Sequence, residues 1–329
     1  MNGKFRAVVA GTGSSLPAKV LTNKDLEKMV DTSDEWITTR TGIRERHVAE
    51  EGQGMSEYAS AAGRKAMEMA GVGAADLDMI ICATVTPDMP IPSTACFIQH
   101  QLGAKGAACF DMAAGCSGYI YALAVAEQFL VSGSCERILV IGAELLSKFL
   151  NWKDRTTCVI FADGAGASLL CRGDSDRGVL ATILKADGSM ADFICLPGGG
   201  TLHPPSEKTI SEGLHYIRMR GNETFKLAIR SLEEVSRDVL RKAGLQPSDV
   251  DLFIPHQANR RIIDAVGSRL GFEEDRVFVN IDRVGNTSAA SIPIALDEAV
   301  RAGRVKRGNA LLFAAFGAGL TWGAAVVRW

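Results

Sequence analysis

The sequence predicts an α/β fold in which two duplicated halves stack as helix, sheet, helix, sheet, helix. Three observations predict it. The chain has 329 residues, more than one ordinary core holds, because single cores stop growing near ~250 to 300 residues. Two segments, AMEMAGVGAADLDMII (66–81) and VLRKAGLQPSDVDLFI (239–254), match in pattern 173 residues apart. Each gives a helix ending at Ala-Gly, a short turn, an acid and an apolar strand, and a period of half a chain argues for duplication of one unit. The segments RILVIGAE and ALLFAAFG are continuous apolar runs, the pattern of strands covered on both faces.

The elements follow in the same order in each half. In the first, Leu102 and Gly103 precede a strand at 109–112, a turn of small residues, a helix over 117–131 and a strand at 137–142. In the second, Leu270 and Gly271 precede a strand at 277–281, a turn, a helix over 287–301 and a strand at 309–315. The halves are expected to divide as 1–174 and 175–329. The helix SGYIYALAVAEQFLV, apolar nearly all round, belongs between two sheets and not at a surface. The stretch LPGGGTLHPPSEKT (196–209), rich in Gly and Pro, reads as a long loop.

Bulk properties exclude several function classes. A hydrophobic fraction of 47% with 22% charged residues is that of a folded globular chain. A net charge of -2 and the absence of basic runs argue against nucleic acid and anionic membranes as partners. The early apolar run AVVA is too short for a signal or a membrane span, so the expected location is cytoplasmic. Eight cysteines without a CxxC pair fit neither a disulfide scaffold nor a zinc site, and most should be buried thiols. GTGSSLP (11–17) lacks the third glycine of a dinucleotide loop, and neither a Walker loop nor a metal-ligand cluster is present.

Four segments carry candidate chemistry. Cys116 follows a strand and opens the apolar helix, where unpaired backbone N–H groups and the helix dipole are expected to lower its thiol pKa. Gly115 and Gly118 on either side allow close approach of a ligand or backbone. His256 ends the strand DLFIPH, where its imidazole can enter a cleft at the carboxyl end of the sheet. His47, His100, His203 and His215 sit in loop or helix contexts. Asn286, in RVGNTSAASIP, occupies the corresponding turn of the second half, which pseudo-symmetry brings near Cys116; it reads equally as a helix N-cap. The Gly-rich turn in FAAFGAGLTWG (313–323) can present the Gly317 N–H to a developing oxyanion, or can be a tight hairpin.

Together these segments resemble the β-ketoacyl-acyl carrier protein synthase III family of the thiolase superfamily. The resemblance runs from about residue 6 to Trp329 and is densest in TSDEWITTRTGIRERH (32–47), GCSG, FADGAGA, PHQANRRI, GNTSAASIP and FGAGLTWG. It implies a five-layered αβαβα homodimer that condenses an acyl-CoA with malonyl-acyl carrier protein to start fatty acid synthesis. It implies no metal and no cofactor, since acyl-CoA is a substrate. By resemblance Cys116 is the acylated nucleophile, His256 and Asn286 hold the malonyl thioester oxygen during decarboxylation, and the backbone of Cys116 and Gly317 forms the oxyanion hole. Trp36 and Arg155 correspond to a sandwich around the CoA adenine, Thr32 and Arg40 to its nucleotide end, and Asn259 to the pantetheine arm. Phe316 corresponds to an aromatic beside the nucleophile, and Ile91 to a position in the acyl pocket that is often Phe in acetyl-restricted members. Arg261 corresponds to a docking arginine for the acidic carrier protein, with Arg260, Lys226 and Arg269 as extensions of a basic patch.

Other readings of the same residues exist. Thr32 with Glu35 makes an ordinary capping box, Trp36 can be a core anchor, and each docking cation can be an exposed helix charge. Ala318 stands where Gly is common and Arg220 where a small residue is usual. Biosynthetic thiolases need a second cysteine near the C-terminal turn, and this chain has none after Cys195. A starter enzyme of specialised metabolism, a non-catalytic acyl-CoA or carrier-protein binder and a cysteine hydrolase remain alternatives, separated by acceptor assays, acyl labelling and product analysis.

Overall fold

A computed structural model describes residues 5–173 and 177–329. The expected division at 174/175 lies outside the described residues. Two sheets organise the chain. The first is built from β1 (Arg6–Ser15), β2 (Met79–Ala83), β3 (Ala108–Met112), β4 (Arg137–Leu145) and β5 (Asp163–Gly173), in the order β1-β5-β4-β2-β3. The second contains β6 (Gly178–Ala186), β7 (Leu252–Pro255), β8 (Ala310–Gly317) and β9 (Thr321–Arg328), in the order β7-β8-β9-β6. Both sheets follow one scheme: the first strand pairs antiparallel with the last, the last antiparallel with the strand just before it in sequence, and that one parallel with the second. The duplication is therefore visible as repeated topology.

Five layers result. Helices Met55–Ala70 and Thr94–Leu102 cover the outer face of the first sheet. Helices Gly221–Ala243 and Arg260–Leu270 cover the outer face of the second, where Leu232, Val235 and Val266 join Phe253 and Leu312 in one cluster. Between the sheets lie Gly118–Ser132 and Ser291–Arg301, whose Tyr119, Leu123, Ile292 and Leu296 pack with residues of both sheets. The Gly118–Ser132 helix is apolar round its first turns because they lie between the sheets, and its polar residues Glu127, Gln128 and Ser132 fall at the end that reaches solvent. Such close layering uses missing side chains: a Cβ on Gly142 of β4 would sit 2.2 Å from the Ala289 carbonyl oxygen.

Two details depart from the sequence expectation. No strand forms over 277–281; Val277 makes one bridge to Phe253, and a short helix Ile281–Val284 follows. The buried Gln257 amide takes the place of the missing ladder, donating to the Phe278 carbonyl (3.2 Å) and accepting from the Asn280 N–H (3.1 Å). The expected loop 196–209 ends early, because Ser206 caps a helical turn Glu207–Ser211 by accepting from the Thr209 N–H.

A small appendage positions the segment around Trp36. Val20–Thr22 pairs with Glu45–His47, and the helix Asp34–Thr41 lies between them in sequence. Arg46 anchors it: the side chain is fully buried, and its guanidinium donates to Asn23 Oδ1 (2.8 Å) and the Val159 carbonyl (2.9 Å). Burial pulls its pKa down to about 10, which leaves it cationic at neutral pH.

Candidate active site

Cys116 stands in a single 3-10 turn, Gly115–Ser117, between β3 and the central helix. Gly115 has φ +52°, a left-handed conformation that suits glycine and turns the chain sharply into the helix. The Gly-rich end of β8 presses against it: a Cβ on Gly317 would lie 2.6 Å from the Cys116 backbone nitrogen and 3.0 Å from its Sγ. A side chain at 317 would thus displace the thiol. The two backbone segments named for an oxyanion hole are therefore in contact.

His256 leaves β7 with its N–H donating to the Ala314 carbonyl of β8 at 2.8 Å. Its Nδ1 lies 2.6 Å from Ser291 Oγ, and that same hydroxyl accepts from the Gln257 N–H at 3.3 Å. The hydroxyl's one proton can be donated to Nδ1, an arrangement that puts the imidazole proton on Nε2. Burial drives the His256 pKa down to about 3, so the ring is neutral at physiological pH. Asn286 is fixed by the opposite logic. Its Oδ1 accepts from the Ser288 N–H at 2.9 Å, so its amide N–H groups are the atoms left to donate; its backbone bridges Phe161 and bonds Ile160 and Ala162. Both side chains are almost wholly buried, at 3% and 5% exposure, and both present N–H donors.

The segment Asn286–Ser291 gathers these parts. Ser291 holds His256 and Ser288 holds Asn286. Ser288 and Cys116 both line a cavity of about 370 Å³ walled mainly by Val85, Leu146, Phe149, Phe161, Ile194, Leu196 and Ile217. His256 and Asn286 are not among its walls. The expectation of a lowered thiol pKa is not met: burial raises Cys116 to about 11, outweighing the hydrogen bonds that lower it, and the nearby Glu144 raises it further. Cys116 is half-buried at the cavity wall, and the loss of most of its water outweighs the help of one helix end.

Two acyl-pocket candidates lie away from the walls around Cys116 within this chain. Phe316 packs beside Trp322, ring centroids 6.3 Å apart, in the outer cluster of the second sheet, and is absent from the walls around Cys116. Side chains alternate along a strand, so when Gly317 faces Cys116 its neighbour faces away. Ile91 is 85% exposed in this single chain, because it lies in the turn after β2, outside the sheets.

The nucleotide-end candidates cluster. The Arg155 guanidinium lies 5.3 Å from the Trp36 ring centroid and that of Arg40 5.9 Å from it. Ser33, and not Thr32, caps the Asp34–Thr41 helix by accepting from the Trp36 N–H. The Thr32 hydroxyl is left buried without a partner, a vacancy that a ligand can fill. Asn259 caps the next helix through the Arg261 N–H (2.9 Å) and donates to the Arg40 carbonyl (3.0 Å), joining the two helices.

The basic candidates divide. Arg260 is tied to Asp264 (2.6 Å) and Glu274 (2.9 Å), and Arg269 to Glu233 (3.1 Å). Arg261 and Lys226 are exposed, with the Arg261 guanidinium 5.1 Å from the Phe225 ring centroid, and neither forms an ion pair among the described residues. Sequence reasoning passed over Ser288 and Glu144. Glu144 was nonetheless legible as a lone acid ending the apolar run RILVIGAE.

Comparison with known proteins gives a consistent picture. Residues 110–188 match the family model for 3-oxoacyl-(acyl-carrier-protein) synthase III, and residues 240–329 match the model for the C terminal of that synthase. The chain is 54% identical over 326 residues, 99% of its length and 98% of the relative's, to the β-ketoacyl-(acyl-carrier-protein) synthase III of Caldanaerobacter subterraneus subsp. tengcongensis. It is 52% identical over 327 residues, 99% of each protein, to that of Symbiobacterium thermophilum. The crystal structure of the Aquifex aeolicus VF5 3-oxoacyl-(acyl-carrier-protein) synthase III superposes with a TM-score of 0.91 at 51% identity, covering 98% of this chain and 100% of that one.

Proposed function

The chain belongs to the 3-oxoacyl-(acyl-carrier-protein) synthase III family, and from that premise we propose that it joins an acyl group from acyl-CoA to malonyl-acyl carrier protein through an acyl-Cys116 intermediate, starting fatty acid synthesis. The observation that carries the reading is the pair of buried donors. His256 can offer Nε2–H and Asn286 its amide N–H, each held by a serine of the segment Asn286–Ser291, and two neutral donors suit an enolate oxygen. A charged imidazolium is excluded by burial at any physiological pH.

The steps follow from the residues. Cys116 Sγ attacks the acyl thioester, and the N–H groups of Cys116 and Gly317 receive the oxyanion as CoA departs. The largely apolar cavity beside Cys116 then holds the acyl chain away from water. The malonyl thioester loses carbon dioxide while His256 and Asn286 stabilise the enolate, whose carbon attacks the acyl-enzyme and gives 3-ketoacyl-acyl carrier protein. Trp36, Arg155, Arg40 and Thr32 receive the nucleotide of CoA; the unpartnered Thr32 hydroxyl supports that role. Arg261 and Lys226, whose charges are not neutralised, supply the attraction for an acidic carrier protein.

The chain is further proposed to act as a cytoplasmic homodimer. The exposure of Ile91 supports assembly, and Ile91 can serve an acyl pocket only from across a subunit boundary, as Ile91 of the partner subunit. Acyl transfer and condensation are separable by mutation. Cys116→Ala is expected to take no label from radiolabelled acetyl-CoA, whereas His256→Ala and Asn286→Ala become acylated but lose condensation by ~100-fold or more. Equal acylation of all three variants, read by intact mass, would refute this division of labour.

A further inference from the structure

Behind the nucleophile stand two residues that the steps above leave without a task. Glu144, near the end of β4, is fully buried. Its carboxylate accepts from Thr86 Oγ1 (2.5 Å), the Val85 N–H (3.2 Å), Thr84 Oγ1 (3.3 Å) and Ser288 Oγ (3.3 Å). No Lys, Arg or His pairs with it among the described residues. An acid placed in such a site without a cation is costly unless its hydrogen bonds compensate. Ser288 is unusual in its backbone: its φ of 49° is the only positive value at a non-glycine residue among those described. Strain of that kind persists where the surroundings over-determine it, typically at active sites. In this pose its N–H reaches Asn286, its hydroxyl donates to Glu144, and its side chain lines the same cavity as Cys116.

The chemistry has a gap at the same place. The Cys116 thiol pKa is raised to about 11, burial makes the His256 imidazole a weak base, and Asn286 cannot accept a proton at neutral pH. The sulfur still has to lose its hydrogen when it attacks.

We propose that Ser288 and Glu144 form a proton relay for Cys116, in which Glu144 is a positioning residue that acts through the Ser288 hydroxyl; this deepens, and rests on, the reading of Cys116 as the acylated nucleophile. As Sγ bonds to the thioester carbonyl carbon, its proton passes to Ser288 Oγ while the Ser288 proton passes to Glu144 Oε1. When the intermediate collapses, the bond between that carbon and the CoA sulfur breaks. The proton returns from Glu144 through the hydroxyl to the departing sulfur, and no net charge is gained or lost. Titratable groups on elements packed around Glu144 include Cys82 of β2, whose thiol feels the carboxylate, Asp163 of β5, whose own carboxylate accepts from Ala49 and Ser147, Cys171 at the far end of β5, and Tyr119 and Tyr58 on the flanking helices, bonded to Ser168 and Gln53. None bridges to the nucleophile. Burial raises the Glu144 pKa to about 7, so the accepting form grows in as pH rises through neutrality.

The test is single-turnover acylation by acetyl-CoA, read by intact mass between pH ~5.5 and ~8.5, on the full-length protein, Glu144→Gln, Glu144→Asp and Ser288→Gly. Glycine removes the hydroxyl at a φ that suits it. The wild-type rate is expected to rise through pH about 7. Glu144→Gln and Ser288→Gly are expected to be slower by ~30-fold or more, with a flattened profile and acyl-CoA half-saturation within ~2-fold of wild type, and Glu144→Asp to recover part of the rate together with the rise. A wild-type rate and pH profile in Glu144→Gln would overturn the relay, as would loss of acyl-CoA binding in step with rate. Where Glu144→Gln does not fold, Ser288→Gly decides alone, since it keeps the carboxyl. A wild-type protein that takes no acyl group refutes the functional reading itself; a labelled wild type with unaltered variants refutes the relay alone.

Discussion

His256 is the residue whose chemistry depends most on where it is buried. Its pKa falls from 6.5 to about 3 through desolvation, so the folded protein refuses a proton that the unfolded chain accepts below pH 6.5. The stability contributed by keeping the ring neutral is whole above 6.5 and is lost progressively as pH falls towards 3, by roughly 1.4 kcal/mol for each unit. Denaturant unfolding of wild type and His256→Gln at pH ~7, ~6 and ~5 checks this: the wild type should lose more stability than the variant on acidification. Parallel losses would show that the imidazole is not held neutral. The residue scale also shows what a sequence conceals. That His256 closes a strand is legible from DLFIPH, but its tautomer depends on Ser291, 35 residues away in the chain. The thiol pKa of Cys116 was misread for the same reason, because the helix start is local information and the depth of burial is not.

At the scale of elements, the two helices that follow Arg220 and Asn259 decide which basic residues can meet a partner. Arg260 and Arg261 are neighbours in sequence and identical in type, yet one faces two carboxylates and the other an aromatic ring. Arg261→Glu is expected to raise the KM for malonyl-acyl carrier protein by ~10-fold or more while changing that for acyl-CoA by less than ~2-fold. Arg260→Glu should act mainly on stability, through Asp264 and Glu274. Steady-state kinetics with each substrate varied in turn separates the two, and equal effects of Arg261→Glu on both substrates would argue against docking. Apolar runs made the strands of both sheets legible, and small-residue turns made the helix starts legible. The false strand at 277–281 came from the same rule, since RVFVNI has the composition of a strand; only the Gln257 side chain, arriving from β7, shows that its backbone bonds are already met. Phe316 failed differently. The motif located it beside Gly317, but strand alternation determines which of two adjacent residues sees the thiol.

For the molecule as a whole, the exposure of Ile91, the highest among the large apolar side chains of the described residues, bears on assembly. Replacing it with Asp puts a charge where an apolar partner surface is proposed, and a charge buried in an interface without a counterion is strongly unfavourable. Sedimentation equilibrium should show Ile91→Asp dissociating at concentrations where the wild type remains a dimer, with reduced acylation in the dissociated form; an unchanged dimer would place Ile91 outside the interface. Layering and duplication are legible in the sequence, because a chain of this length with two matched halves and a nearly all-apolar helix has few other ways to cover itself. That helix has one more consequence. Gly118–Ser132 is sheltered on one side by strands made early and on the other by strands made last, and the Gly317 backbone beside Cys116 belongs to the second set. During synthesis on the ribosome, the thiol therefore exists long before its working environment does. A chain released short of β8 would be chemically idle and sticky, and the enzyme switches itself on only when its final strands are in place.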